Sequence, residues 1–220
     1  FALRRASLGV LRILVEKEID LNLLGTLRFA ADLHDRFTAS GLTVKEGLEQ
    51  QVLAYLLERF RAWFDEEGFA PEVFMAVSAK NLDNPREFHL RAQAVHTFQQ
   101  LPEAAALAAA NKRVSNILAK SEGPLPAVVD SALFDSDEER ALLATLQVAS
   151  SKVQPLLAAR DYGAAMRAMA ELRTPVDHFF DKVMVMADDP AVRDNRLRLL
   201  SELRELFLNI ADISLLAPAK

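Results

Sequence analysis

Histidines and closely spaced aspartates are the residues here whose chemistry could be catalytic or metal-binding. His34-Asp35, in "RFAADLHDRFTASG", is a pair that can hold a divalent metal for phosphoester hydrolysis, provided further His and Asp ligands converge from other helices. The remaining histidines give little support. His89 and His96 stand seven residues apart, which on one helix is about 10 Å, too far to share an ion unaided. The reading is a solvated helix end and no metal site.

The stretch "TPVDHFFDKVMVMADDPAVRDNR" (174–196) is the second candidate, with His178 between Asp177 and Phe179-Phe180, and Asp181, Asp188 and Asp189 following. Asp177 and Asp181, at i and i+4, share a helical face and would suit a two-carboxylate site. Asp177 also falls in the first turn after Thr174-Pro175, where a negative charge favours the positive helix end. The structural reading is the simpler one, and no catalytic residue is assigned. There is no Gly-rich phosphate loop, which sets aside P-loop and dinucleotide binding. No cysteine is present, which removes disulfides, thiol nucleophiles and thiolate metal sites.

A different kind of site is written in "NKRVSNILAK" (111–120). At about 100° per residue, Val114, Ile117 and Leu118 form one apolar face. Lys112, Arg113, Asn116 and Lys120 fall on the opposite side, three cations and an amide with no acid among them. Such a face can hold phosphates through Lys and Arg while Asn reads a base edge. An ordinary solvated helix face is the competing reading. The formal net charge is −5, so a strongly basic nucleic-acid footprint is absent from the chain as a whole and any anion site must be a local patch.

The last long helix, "PAVRDNRLRLLSELRELFLNI", carries a stripe of Val192, Leu199, Leu200, Leu203, Leu206, Phe207 and Ile210. Arg196 falls in the middle of it, and a cation there must be paired. The nearest acids before it are Asp177, Asp181, Asp188 and Asp189, so a structural ion pair of Arg196 with Asp177 or Asp181 is expected. Phe179, Phe180, Val183 and Val185 would supply packing at the same corner. Arg193 and Arg198 are left to face solvent or RNA.

The elements that must position these residues are all helical. Hydrophobic residues make up 51% of the 220-residue chain, with Ala and Leu dominant and seven glycines, a composition that favours helices. Apolar residues recur at helical spacing and no period-2 alternation is sustained. Helices are predicted at 2–17, 20–38, 44–66, 71–79, 86–99, 102–120, 137–159, 161–173, 175–183 and 190–210. Thr43, Pro71, Pro102, Asp137 and Asp161 are the start signals. Asn84-Pro85 breaks a helix, so two parts are expected, 1–99 and 100–220, and 121–139 is the long connection. No apolar run approaches the roughly 18 residues of a membrane span, and no signal peptide precedes the first helix. The chain reads as soluble. It opens in mid-helix without a start methionine, which suggests a piece of a longer protein.

"NKRVSNILAK", "VDSALFDSDEERALL" (129–143) and "LRTPVDHFFDKVMVMADDPAVRDNRLRLLSELRELFLNIADISLL" (172–216) together resemble the C-terminal region of the bacterial glycyl-tRNA synthetase beta subunit family. Within it they are similar to the helical anticodon-binding domain shared with the class I arginyl-tRNA synthetases. The opening "FALRRASLGVLRILVEK" is similar to the same beta subunits, after their catalytically degenerate HD-like region. His34-Asp35 is therefore not that region's motif. The end, "DISLLAPAK", lacks the terminal Met segment of the arginyl relatives.

The resemblance implies an all-α helical bundle, the anticodon-binding domain, preceded by a smaller helical region. It implies a tRNA-binding role in charging glycine tRNA, with no aminoacylation chemistry in this stretch. ATP and Mg would belong to the alpha subunit of a heterotetramer, leaving no cofactor here. The partners implied are glycine tRNA and the alpha subunit, with no membrane and no DNA, in the cytoplasm. The competing class is a helical protein–protein interaction scaffold without an RNA role.

Overall fold

The structure, a computed structural model, describes residues 2–37, 43–121 and 123–218. Ten α-helices account for most of these residues, and none is in a strand. They are α1 (Ala2–Glu16), α2 (Leu23–Phe37), α3 (Leu48–Glu66), α4 (Pro71–Ser78), α5 (Pro85–Gln99), α6 (Ala104–Leu118), α7 (Asp137–Ala158), α8 (Tyr162–Ala170), α9 (Arg173–Lys182) and α10 (Pro190–Leu208). Two 3₁₀ turns, Ser131–Leu133 and Ile213–Leu216, complete the set. The protein is all-α, as its periodicity requires. The chain divides into two compact units, Phe1–Ala92 and Gln93–Lys220, and α5 begins in one and ends in the other.

Local signals fix the helix starts. Pro71 and Pro190 occupy first-turn positions, where a missing N–H is no loss. Asp161 accepts from the Ala164 amide, and Asp189 from that of Ala191. At α7 the cap is Ser136, one residue before the predicted Asp137, and Ser136 with Glu139 makes a reciprocal capping box. The predicted start at Thr43 is corrected. Helix α3 opens at Leu48, after Gly47 in a left-handed conformation with φ 75°, which an L side chain rarely adopts. Helix α6 opens at Ala104 rather than at 102, after a turn at Leu101–Glu103. The predicted end of the second helix, at 38, lies outside the described residues.

In the first unit, α3 packs on α1, α2 and α4. Its core is aromatic: Phe60 stacks on Phe88 at 5.1 Å between ring centroids and on Phe64 at 5.3 Å. Arg12 of α1 pairs with Glu66 of α3 at 3.0 Å. In the second unit, α6 is packed by α9, α10 and the Ile213–Leu216 turn, while α7 packs on α8, α9 and α10. Leu107, Leu142, Met166, Leu172, Phe179 and Phe207 are fully buried there. Burying a side chain of that size contributes about 1.5–3 kcal/mol before chain entropy is counted.

Candidate nucleic-acid interface

Helix α6 is built on small residues where it meets the core. Ala104, Leu107, Ala108, Ala110, Asn111 and Val114 are buried, and the Asn111 amide is satisfied by the Leu107 carbonyl at 3.0 Å. That packing turns the opposite side outward. Arg113, Asn116 and Lys120 are exposed and Lys112 is half-buried. All four, with Ala109 and Ile117, line one groove of about 690 Å³. Ile117, expected on the apolar face, is half-buried at the groove floor. Lys120 sits just past the helix end and still reaches the groove.

Ala217 and Pro218 form the groove's other wall, held by a short relay. Arg204 of α10 grips Asp212 through both oxygens, at 3.1 and 2.8 Å. Asp212 accepts from the Ser214 amide and hydroxyl, which fixes the Ile213–Leu216 turn against α6. Burial alone would raise the Asp212 pKa, but the bonds from Arg204 and Ser214 and the Arg204 charge hold it below the usual carboxylate value. Beyond that turn, the Lys112 ammonium donates to the Pro218 carbonyl at 2.7 Å and to the Ala217 carbonyl at 3.4 Å. Lys112 thus fastens the wall, and no acid among the described residues pairs with its charge.

Arg113 lies over a ring. Its guanidinium carbon stands 4.3 Å from the centroid of Phe180 on α9. Among the described residues, the side chains of Arg113, Asn116 and Lys120 make no hydrogen bond or ion pair, which leaves two cations and an amide open to a ligand.

The corner between α9 and α10 is a separate construction, and its expected ion pair is corrected. Arg196 is buried, 6% exposed, and bonds Glu139 at 2.7 and 3.2 Å, Asp135 at 3.2 Å and the Met184 carbonyl at 3.0 Å. Neither Asp177 nor Asp181 reaches it. Asp177 faces Arg173 one turn earlier on α9, at 3.4 Å, while Asp181 is exposed with no partner among the described residues. Acids close in sequence lost to an acid brought close by the packing of α7 on α10. Glu139 is fully buried, which would raise its pKa, yet hydrogen bonds from Arg196 and Ser136 and the Arg196 charge hold it below the usual value. The same contacts push Arg196 upward. Val176, Phe179, Val183 and Val185 are buried at this corner, but Phe180 is half-exposed beneath Arg113.

No group of three or more His, Asp and Glu residues is placed to hold a metal among the described residues. The His34 ring meets Asp35 at 3.3 Å, and Asp35 accepts from the Val44 amide at 2.9 Å. That amide, and then His34, lower the Asp35 pKa, so the pair is used in closing the end of α2.

Comparison with known proteins identifies the helical assembly that carries the groove. Residues 107–216 match the family described as the DALR anticodon binding domain. The chain belongs to that family. The DALR match runs from α6 through the Ile213–Leu216 turn, so it contains the basic face, Phe180 and the Arg196 corner, and stops just before Ala217. Residues 1–79 match the glycyl-tRNA synthetase beta subunit family. Among curated proteins, the chain is similar to the glycine–tRNA ligase beta subunits of Vibrio vulnificus strain YJ016 (48% identical over 216 residues), Ectopseudomonas mendocina (50% over 216) and Pseudomonas aeruginosa strain LESB58 (51% over 217). Each alignment covers 98% of this chain and 31% of the relative, so the chain spans about a third of those proteins.

Arg193 and Arg198, the other candidates on the DALR domain, are placed differently from the α6 set. Arg198 is half-buried and held by Glu202 at 3.1 Å and Glu205 at 3.4 Å. Arg193 lies 3.6 Å from its neighbour Asp194. Neither lines the groove. Sequence reasoning missed Phe180 as the ring beneath the groove residue Arg113. A signal existed: consecutive residues on a helix point about 100° apart, so if Phe179 fills the core, Phe180 must stand at its edge.

Proposed function

We propose that the α6 groove of the DALR domain binds the anticodon arm of glycine tRNA. The chain would then be the tRNA-holding part of a glycine–tRNA ligase beta subunit. The observation carrying this reading is the convergence of Lys112, Arg113, Asn116 and Lys120 on one groove of about 690 Å³, inside the residues that match an anticodon-binding family. Cations held on a rigid helix suit backbone phosphates, and an Asn with no partner among the described residues suits the edge of an unstacked base. ATP and Mg would act at the alpha subunit of the cytoplasmic ligase, with which this chain would assemble as a heterotetramer.

A second reading, a helical protein-interaction scaffold, is favoured by apolar faces in the first unit. Leu3, Val10 and Ile13 on α1, and Phe29, Leu33 and Phe37 on α2, are exposed. The occupant suggested for them is the part of the beta subunit that this chain does not cover, since it spans 31% of its relatives. On this reading the chain has no RNA role and the α6 groove holds no tRNA. The deciding experiment is binding of glycine tRNA, beside the same tRNA with a changed anticodon, at several salt concentrations. Affinity that falls steeply with salt and drops for the changed anticodon supports the RNA reading. Equal, salt-independent or absent binding leaves the scaffold.

A further inference from the structure

We infer that Arg113, laid on Phe180, is a stacking platform for one unstacked nucleobase of the bound RNA. This deepens the tRNA-binding reading and rests on it. The guanidinium carbon lies 4.3 Å from the Phe180 ring centroid, within cation–π contact, so the aromatic occupies one side of the Arg113 head. The residue is exposed and lines the groove, so the head is also accessible to a ligand there. Phe180 is in turn fixed from behind: its ring meets the fully buried Phe179 edge-on, with centroids 5.6 Å apart and planes at 81°. The stack therefore runs from the core outward, through Phe179, Phe180 and Arg113, and ends at a flat cation facing the groove.

Two further observations separate this from an ordinary phosphate contact. Arg113 has no acidic partner among the described residues, so a cation on the surface is held by a ring rather than by a charge. Cation–π contact orients the plane, which a point charge does not need. The second is its company. Asn116, one turn further along α6, opens on the same groove and has no partner among the described residues, so a base resting on Arg113 would have an amide near its edge. Single-stranded bases are recognised in that way, by a planar group beneath and a hydrogen-bonding group at the rim. Holding the plane before RNA arrives removes part of the ordering penalty of binding.

Stacking tolerates any base, because each has a π-face. The Arg113 platform should therefore contribute affinity without sequence preference, and Asn116 should contribute preference. Arg113→Lys keeps the charge and removes the plane, which makes it the discriminating variant. The probe is the anticodon stem–loop of glycine tRNA with 2-aminopurine placed in turn at each loop position, titrated with the whole chain. Wild type should quench one loop position strongly. Arg113→Lys should weaken binding by about tenfold for cognate and changed anticodons alike. It should abolish that quenching and leave the salt slope unchanged. Phe180→Leu should weaken binding similarly, and the double variant should be little worse than either single one, since the two side chains act as a unit.

Arg113→Lys binding within twofold of wild type, with quenching intact, overturns the platform even where Lys120→Ala still lowers affinity and salt slope. If the stem–loop fails to bind the wild-type chain, or binds Lys120→Ala and Asn116→Ala as it does wild type, the RNA reading falls and the platform with it. Melting curves accompany Phe180→Leu, which can loosen the corner. Arg113→Lys, on an exposed residue, carries the decision if it does.

Discussion

The Arg196 guanidinium and the Glu139 carboxylate, 57 residues apart in sequence, meet at 2.7 Å in the interior of the second unit. Glu139 is at the same time the returning half of the α7 capping box, accepting from the amides of Ser136 and Asp135 at 3.0 Å. One buried carboxylate thus fixes the start of α7 and the middle of α10 together. Removing the cation strands a desolvated negative charge, whose penalty exceeds the attraction lost.

Arg196→Met should therefore destabilise the chain by about 3–5 kcal/mol, read from the denaturant midpoint at unchanged m-value. Glu139→Gln keeps an acceptor for the capping box and removes the charge that Arg196 leaves behind. In the Glu139→Gln background, Arg196→Met should cost markedly less. Equal losses in the two backgrounds would mean that the pair is not coupled and that Arg196 acts through Asp135 or the Met184 carbonyl instead.

The α6 face could be read from sequence because a basic, acid-free arc opposite Val114 needs only helical periodicity to be seen. The need for a partner at Arg196 was legible for the same reason, from its place in an apolar stripe. Its partner was not. Proximity in sequence pointed to Asp177 and Asp181, whereas the crossing of α7 over α10 decides which acid arrives. The wall at Ala217 and Pro218 was equally hidden, since backbone carbonyls carry no sequence signal and the Arg204–Asp212 relay that places them is tertiary. Arg198 illustrates the converse error. A free cation on a helix of mixed sign is captured by Glu202 one turn away, as i,i+4 pairing would have warned. The starts at Pro71, Asp137 and Asp161 survived because capping and proline chemistry are local, whereas Thr43 and Pro102 stand ahead of α3 and α6 rather than at their first residues.

Acid should act on the two units in different pH ranges. Burial lowers the His89 pKa, opposed by the Glu67 charge, and the ring stacks on Trp63 at 5.2 Å. A base whose folded pKa is depressed favours the unfolded state once that state takes up the proton, so the first unit should lose stability as pH falls below about 6.5. Glu139 and Asp212 also have depressed folded pKa values. As carboxylates, they contribute stability present above about pH 4 and lost as pH falls through their folded values. Melting temperature measured from pH 8 to 3, with histidine NMR following unit one, should show an early decline that His89→Phe flattens and a later one that Arg196→Met shifts upward. A single transition unaffected by His89→Phe would count against the histidine.

Asn195, buried on α10, clamps the long connection. Its side chain accepts from the Asp130 amide at 2.7 Å and donates to the Asp130 carbonyl at 2.9 Å, as a neighbouring strand would. Asn195→Ala leaves both backbone groups short of a partner and should cost about 1–3 kcal/mol. The loss should be local, seen as faster amide exchange and proteolytic cutting in 123–130. Protection there at wild-type levels would show that the 3₁₀ turn Ser131–Leu133 holds the connection without the clamp.

Lys120 and Asn116 should separate affinity from specificity at the groove. Lys120 has no acidic partner among the described residues, so each phosphate it neutralises releases counterions that would otherwise stay condensed on the RNA. Lys120→Ala should weaken binding of every tRNA and reduce the salt slope by about one. Asn116→Ala leaves the charge alone. It should keep the slope and narrow the gap between cognate and changed anticodons, by about 1–3 kcal/mol if it reads one base edge. Lys112→Ala should behave as a mixture, because that ammonium also fastens Ala217 and Pro218. It should lower affinity and also quicken amide exchange at Ala217, whereas Lys120→Ala should leave that exchange untouched. Affinities at four salt concentrations for the three variants, with melting curves as controls, decide the matter. Wild-type slope and selectivity in all three would remove the α6 groove from the RNA site.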